Sequence, residues 1–102
     1  MIILYTTCPT KKEAEKIARA LMKEKLVACV NLWPIHSIYW WEKTIEEADE
    51  WAMLIKTRDA LGSKVEARIR ALHSYQLTVI EQWPVKRVYK GTLKWINEVT
   101  RT

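Results

Sequence analysis

The 102-residue sequence is poor in the residues that interrupt a chain, with two glycines, three prolines and no phenylalanine. Gly62 and Gly91 stand alone, which excludes a glycine-rich loop for binding phosphate. The same scarcity leaves no flexible linker and no internal repeat. We therefore expect one domain that spans residues 1–102.

Signatures of catalysis and of tight metal binding are also missing. The sequence has no HExxH, no GxSxG, no EF-hand loop and no paired-cysteine zinc spacing. The serines lack any nucleophile context, so we expect a protein that is not an enzyme. Cys8 and Cys29 form no CxxC motif, which favours reduced thiols and a cytoplasmic location over a secreted disulfide scaffold.

Two further classes of partner are disfavoured. A run of about 18 apolar residues, the minimum for a membrane-spanning helix, does not occur, and the apolar start at residues 1–5 is too short for a signal peptide. The net charge of +5 makes nucleic acid a partner to consider. However, lysines and glutamates alternate, as in Lys23-Glu24-Lys25, and the aromatic RNA-binding motif is absent. We expect neither a nucleic acid nor a membrane partner.

Tryptophan is what the sequence has in excess. Six Trp and four Tyr supply all of its aromatic residues. A tryptophan side chain rarely buries completely, and its N–H needs a hydrogen-bond acceptor. The six tryptophans therefore indicate half-buried surfaces or interfaces between subunits.

The hydrophobic pattern predicts the order β-α-β-β-α-β with a short helix at the end. Residues 2–7 form a short apolar strand, and Thr10 with Glu13 has the spacing of a capping box. The helix that follows carries an apolar stripe at Ala14, Ile17, Ala18, Leu21 and Met22. Strand-like segments then cover residues 26–41 and 45–57, with a turn at 42–44.

A second helix is predicted to begin at Asp59, or at Ser63 with Glu66 as a second capping box, and to end near His73. A last strand covers residues 78–85, and a short helix follows Gly91. This order is typical of an α+β fold, the ferredoxin-like sandwich with a long β-hairpin and a C-terminal helix. In it, two helices cover one face of a four-stranded antiparallel sheet.

The predicted hairpin is too long for a compact domain. About 15 residues of strand span roughly 50 Å, whereas a compact chain of this length is roughly 33 Å across. We expect the hairpin to project and its tryptophan-rich edges to be covered by other subunits in a closed assembly. Pro34 could instead fold the long strand back, because proline cannot donate to a ladder.

Four side chains are conceivable ligands for a soft metal such as copper, zinc or nickel: Cys8, Cys29, His36 and His73. They are scattered along the chain, and nothing in their spacing brings them together. Packed or surface histidines and a small buried cysteine are the alternative interpretation.

Five short segments, taken in order, resemble one known family. They are Ala28-Cys29-Val30-Asn31, residues 37–42 (SIYWWE), Ile55-Lys56-Thr57, His73-Ser74-Tyr75 and Leu93-Lys94-Trp95-Ile96. Over nearly the whole chain the sequence resembles the CutA family of divalent-cation tolerance proteins. The resemblance implies a ferredoxin-like fold, a cytoplasmic location, and a homotrimer in which long strands pair between subunits. It also implies a link to tolerance of copper and other divalent cations.

The resemblance implies a set of site residues as well. A ligand cleft between subunits would involve Cys29, Asn31, Tyr39, Trp41, Glu42, Lys56 and Tyr75, with His73 as a metal ligand. In this interpretation Lys56 and Glu42 are charge partners and Tyr75 and Trp41 are walls. An intersubunit salt bridge and a packed core would explain the same residues without a ligand.

Some positions depart from the family pattern. Of the three positions associated with copper in some bacterial members, this sequence has Thr6 and Leu72 at two and keeps only His73. We therefore expect weak or indirect metal binding, with copper or another divalent cation as the candidate ion and no firm cofactor. The alternative function is a sensor or assembly module similar to the PII proteins, which would bind a small anionic ligand in the same cleft.

Overall fold

The structure is a computed structural model that describes residues 1–102. Its four strands and three α-helices are β1 (Ile2–Cys8), α1 (Lys11–Lys23), β2 (Cys29–Trp41), β3 (Thr44–Thr57), α2 (Gly62–Leu72), β4 (Ile80–Pro84) and α3 (Lys90–Val99). The strands form one sheet in the order β2-β3-β1-β4, and every neighbouring pair is antiparallel. The predicted ferredoxin-like α+β fold is confirmed.

The core lies between one face of this sheet and the helices α1 and α2. Alternate residues of β1 point into it, as a period of two requires, while the stripe of α1 faces them with a period of 3.6. Burying each large aliphatic side chain contributes about 1.5–3 kcal/mol. The core residues that these elements supply are Leu4, Cys8, Ala14, Ile17, Leu21, Met53, Ile55, Val65 and Ile69.

Of the two predicted capping boxes, only the Thr10 half of the first forms, and the Glu13 carboxylate accepts from the Ser74 backbone N–H at 3.4 Å. The Thr10 hydroxyl accepts a hydrogen bond from the Glu13 backbone N–H at 3.1 Å, so α1 begins where the sequence predicts. The second box does not form. A 3-10 turn (Asp59–Leu61) leads directly into α2 without a side-chain cap. The Glu66 carboxylate instead accepts a hydrogen bond from Gln82, at 3.0 Å.

The long hairpin is continuous, with pairing from Cys29 opposite Lys56 to Trp41 opposite Thr44. Pro34 lies on β2 and pairs with Trp51 of β3. Because β2 is an edge strand, the missing N–H of Pro34 is tolerated there. The alternative that Pro34 folds the strand back is therefore wrong. β1 reaches only as far as Trp51, so residues 35–50, called the overhang below, extend beyond it. The molecule is 45 Å long, and the predicted projection is confirmed.

The overhang ends in a strained two-residue loop. Glu42 has φ 47° and Lys43 has φ 72°, so two residues other than glycine occupy the left-handed region. Two-residue hairpin loops favour such angles because they match the twist of the strands. The turn is therefore shorter than the predicted 42–44.

Three strand or helix boundaries also differ from the prediction. β2 begins at Cys29 and not at residue 26, because Lys25 (φ 56°) ends the helical path and Leu26 still donates to the Leu21 carbonyl. β4 begins at Ile80 and not at 78, and α3 begins at Lys90, before Gly91. None of the helices is both long and apolar enough to cross a lipid bilayer.

Candidate functional site

The end of β1, the first turn of α1 and the residue after α2 meet at one place. β1 ends in a core-facing Cys8, capping by Thr10 fixes Glu13 in the first turn of α1, and His73 follows the last residue of α2. The sulfur, carboxylate oxygen and imidazole nitrogen of Cys8, Glu13 and His73 all lie within 4.8 Å of one another. These residues form the Cys8 cluster.

Both ring nitrogens of His73 have partners. The Tyr75 backbone N–H donates to Nδ1 at 3.1 Å, which places the ring proton on Nε2. Nε2–H donates to the Thr7 carbonyl at 2.7 Å. The His73 side chain is 0% exposed, and Nδ1 also lies 3.5 Å from the Glu13 carboxylate. The imidazole is therefore a fixed, neutral element of the structure in this arrangement.

The Cys8 thiol lies against two other soft atoms. Its Sγ donates to the Met53 Sδ at 3.5 Å and is 3.5 Å from the His73 Nε2. Burial, with the nearby charges of Glu13 and Glu50, raises the pKa of the Cys8 thiol to about 12. The thiol is thus protonated at neutral pH, and a metal ion would have to displace its proton.

The other two conceivable metal ligands lie elsewhere. His36, on the overhang, has Nδ1 2.9 Å from Asp49 and Nε2 2.8 Å from Glu47, and these two carboxylates raise the pKa of His36. Cys29 is half-buried, and its Sγ lies 3.6 Å from the Asn31 amide oxygen. Of the four candidates, the structure brings only Cys8 and His73 together.

Thr6 also has a structural role. It occupies one of the positions that the family resemblance associates with copper. Its side chain is fully buried, and its hydroxyl donates to the Val79 carbonyl at 2.7 Å. This bond ties β1 to the segment that precedes β4.

A groove of about 400 Å³ lies on the helix-free face of the sheet, at the root of the overhang. The predicted residues Tyr39, Trp41 and Tyr75 line it together. Its polar floor is Glu50, which is 7% exposed and accepts a hydrogen bond from the Tyr75 hydroxyl at 2.7 Å. Burial and this bond raise the pKa of Tyr75. This aromatic groove combines apolar walls with one carboxylate.

The remaining predicted cleft residues lie outside the groove. Cys29 is paired opposite Lys56 at the base of the hairpin, and Glu42 is in the exposed loop at its tip. The 13 residue steps from Cys29, opposite Lys56, to Glu42 span roughly 43 Å of strand. Lys56 and Glu42 therefore cannot pair within one chain, and a single cleft would need residues from a second copy.

Sequence reasoning missed Glu13, Glu50 and Met53 as members of these sites. Each is far along the chain from a group that it contacts: Met53 is 45 residues from Cys8, Glu50 is 25 from Tyr75, and Glu13 is about 60 from His73. A capping glutamate and a strand methionine are ordinary in their local context. The sequence offered one signal, the charged Glu50 in a strand that otherwise enters the core, because a buried charge usually has a partner.

The helix-free face carries an aromatic row beside the groove. The Tyr5 ring is stacked on Trp83 at 5.4 Å and lies 6.4 Å from Trp33. On the opposite face of the overhang, by the register of the hairpin, further apolar side chains are open to solvent, with Ile38 66%, Trp40 70% and Ile45 62% exposed. Large apolar side chains exposed on both faces of a hairpin are typical of an interface.

Comparison with known proteins gives a consistent result. Residues 2–99 match the family model of the CutA1 divalent ion tolerance protein. The divalent-cation tolerance protein CutA of Archaeoglobus fulgidus is 45% identical over 95 residues, which cover 93% of both chains. The crystal structure of CutA1 from Pyrococcus horikoshii matches with a TM-score of 0.97 and 41% identity over 100% of both chains. The structure of the periplasmic CutA from Archaeoglobus fulgidus matches with a TM-score of 0.94 and 44% identity, covering 97% of this chain and 98% of that one.

Proposed function

This chain belongs to the CutA1 family of divalent-ion tolerance proteins, and we propose that it acts in metal tolerance as a homotrimer without enzymatic activity. Copper is the ion we propose, bound weakly or acting indirectly. The observation that carries the proposal is the match to this family over residues 2–99. The unpaired overhang and the Cys8 cluster add support from the molecule itself.

The overhang supports assembly. It carries Ile38, Trp40 and Ile45 in solvent, and both β2 and β4 are edge strands with unpaired backbone groups. Exposed edges of this kind promote uncontrolled association unless another chain covers them. A closed ring of three chains would cover the edges and bury the tryptophans, because cyclic symmetry leaves no open end.

The Cys8 cluster supports weak metal binding. An ion would have to remove the Cys8 proton and replace at least one hydrogen bond of His73, and both steps reduce its affinity. The two cysteines are free thiols, which fits the reducing cytoplasm that we propose as the location. One relative of known structure is periplasmic, so fractionation of the source cells is the direct test of location.

One substitution pair tests assembly through the overhang. Trp40→Lys places a charge at the most exposed tryptophan of the hairpin, whereas Met22→Lys places it on α1, at a side chain 42% exposed. We expect sedimentation velocity to show dissociation of the trimer for Trp40→Lys and an unchanged trimer for Met22→Lys. An intact trimer with Trp40→Lys would remove the overhang from the interface.

Calorimetry with copper and zinc salts tests the metal part of the proposal. We expect measurable heat at micromolar to millimolar ion concentrations and a change in tryptophan fluorescence. The absence of both signals with the wild-type protein would leave only an indirect role in tolerance.

The alternative function is binding of a small anionic ligand in a cleft between subunits, as in PII-like modules. The groove of about 400 Å³ favours it, because small-molecule sites are of this size. Its own charge, Glu50, is negative, so Lys56 of another chain would have to supply the cation. A ligand present at 100 times its Kd stabilises by about 2.7 kcal/mol. A thermal-shift panel of nucleotides and organic acids with no shift would reject this alternative.

A further inference from the structure

Cys8 contacts two other soft donor atoms, the His73 imidazole within the Cys8 cluster and the Met53 thioether beside it, and Met53 is not among the candidate metal ligands above. The Cys8 Sγ is 3.5 Å from the Met53 Sδ and 3.5 Å from the His73 Nε2. Cys8 and Met53 are 0% exposed, and so is the His73 side chain. A thiol, a thioether and an imidazole are thus held together in a site from which water is excluded.

The spacing of these atoms suits a shared metal ion. Ligands with metal–sulfur bonds of about 2.3 Å and metal–nitrogen bonds of about 2.0 Å lie roughly 3.5–3.8 Å apart around a tetrahedral ion. The two distances of 3.5 Å are close to this range. The donors come from the end of β1, the middle of β3 and the end of α2, all of which pack in the core.

The chemistry of the donor set selects the ion. Thiolate and thioether ligands favour cuprous copper over zinc or the harder divalent ions.

Glu13 completes the arrangement from outside the ligand shell. Binding through Nε2 requires the ring proton to move to Nδ1, so that the imidazole stays neutral. Nδ1 lies 3.5 Å from the Glu13 carboxylate, which can then accept its hydrogen bond, and the bond that Nδ1 now accepts from the Tyr75 backbone N–H is given up in exchange. Metal-bound histidines typically donate their second N–H to a carboxylate in this way. The thiol proton leaves to solvent, and one proton is released for each ion bound.

We propose that Cys8, Met53 and His73 form a cuprous-ion site in this protein, with Glu13 as the residue that orients the imidazole. The inference rests on the proposed role in metal tolerance and names the ion and the ligands. It requires no redox step, because the ion is supplied in its cuprous state.

The test is anaerobic titration of the full-length protein with cuprous ion against a chromophoric chelator. We expect one ion per chain, and X-ray absorption to show two sulfur ligands and one nitrogen ligand. Loss of an orienting partner commonly costs 10–100-fold in affinity. We therefore expect roughly tenfold weaker binding for Glu13→Gln and more than about 100-fold for Cys8→Ser.

Met53→Leu is the decisive variant, because it conserves volume and removes only the thioether. We expect it to keep its fold by circular dichroism, to lose at least about tenfold in cuprous affinity, and to bind zinc unchanged. Cys29→Ser is the matched control and should bind the cuprous ion as the wild type does. Unchanged cuprous affinity in Met53→Leu, or lost affinity in Cys29→Ser, would overturn the site. A trimer that binds divalent copper or zinc but no cuprous ion would overturn this inference and leave the proposed function intact.

Discussion

Replacing Tyr75 by phenylalanine removes one hydroxyl and leaves the Glu50 carboxylate without its donor. The hydroxyl lies 2.7 Å from Glu50, which is 7% exposed and forms no ion pair in the chain. Because the carboxylate cannot regain full hydration at the floor of the groove, the lost bond is not replaced by water. The variant therefore tests whether this contact fixes the segment after α2 onto the overhang.

The expected cost follows from the type of bond. Hydrogen bonds to charged groups contribute about 1.5–3 kcal/mol. Tyr75 is only half-buried, so we expect the lower part of this range, about 1.5 kcal/mol. For a domain of this size that corresponds to a fall in Tm of roughly 6–12 °C. Glu50→Gln keeps an acceptor for the hydroxyl, and we expect it to lose less than Tyr75→Phe.

Guanidinium unfolding at fixed protein concentration measures the effect, with Tyr89→Phe as the matched control. The Tyr89 residue is 81% exposed, so its substitution should change the free energy of unfolding by less than about 0.5 kcal/mol. In the double variant Tyr75→Phe/Glu50→Gln the two costs should not add, because both remove the same bond. Equal effects of Tyr75→Phe and Tyr89→Phe would refute the reasoning.

Three other changes give further predictions. In metal-free protein, the Cys8 thiol has a pKa of about 12 against an ordinary 9.0, so its stabilisation is complete below pH 9.0 and is lost as the pH rises towards 12. Between pH 9.0 and 12 the free energy of unfolding of the wild type should fall more steeply with pH than that of Cys8→Ala, by about 1.4 kcal/mol per pH unit. Equal slopes for the two proteins would contradict this. Thr10→Ala should cost about 1 kcal/mol in denaturant unfolding, whereas Ser63→Ala, at the unused capping box, should change stability by less than about 0.5 kcal/mol. Lys43→Gly should raise the free energy of unfolding by roughly 1 kcal/mol, because it relieves a left-handed residue; a loss of stability would argue against the loop conformation.

Much of the fold could be predicted because local patterns and core packing agree. The stripe through Ile17 and Leu21 faces the sheet as its spacing requires, and Thr10 caps α1. The projection of the hairpin could be predicted from the number of its strand residues alone. The capping box predicted at Ser63 does not form, because the chain enters α2 through a 3-10 turn and the Glu66 carboxylate binds Gln82. The local capping pattern is thus overridden by a hydrogen bond to a residue 16 positions away.

The sites were less accessible to sequence reasoning. The resemblance and residue chemistry pointed to His73, Tyr39, Trp41 and Tyr75, and the structure places the last three in one groove. The partners that define the chemistry are distant in sequence. Met53 meets Cys8 only because β1 and β3 are neighbours whose inward residues alternate. No spacing rule connects such positions.

The solution mass of the wild-type protein by multi-angle light scattering tests the central claim most directly. The account predicts three times the chain mass of 12.1 kDa, unchanged on dilution into the low micromolar range. The overhang and its exposed tryptophans would then be covered by neighbouring chains. A stable species of 12.1 kDa would contradict the trimer and, with it, any cleft formed between subunits.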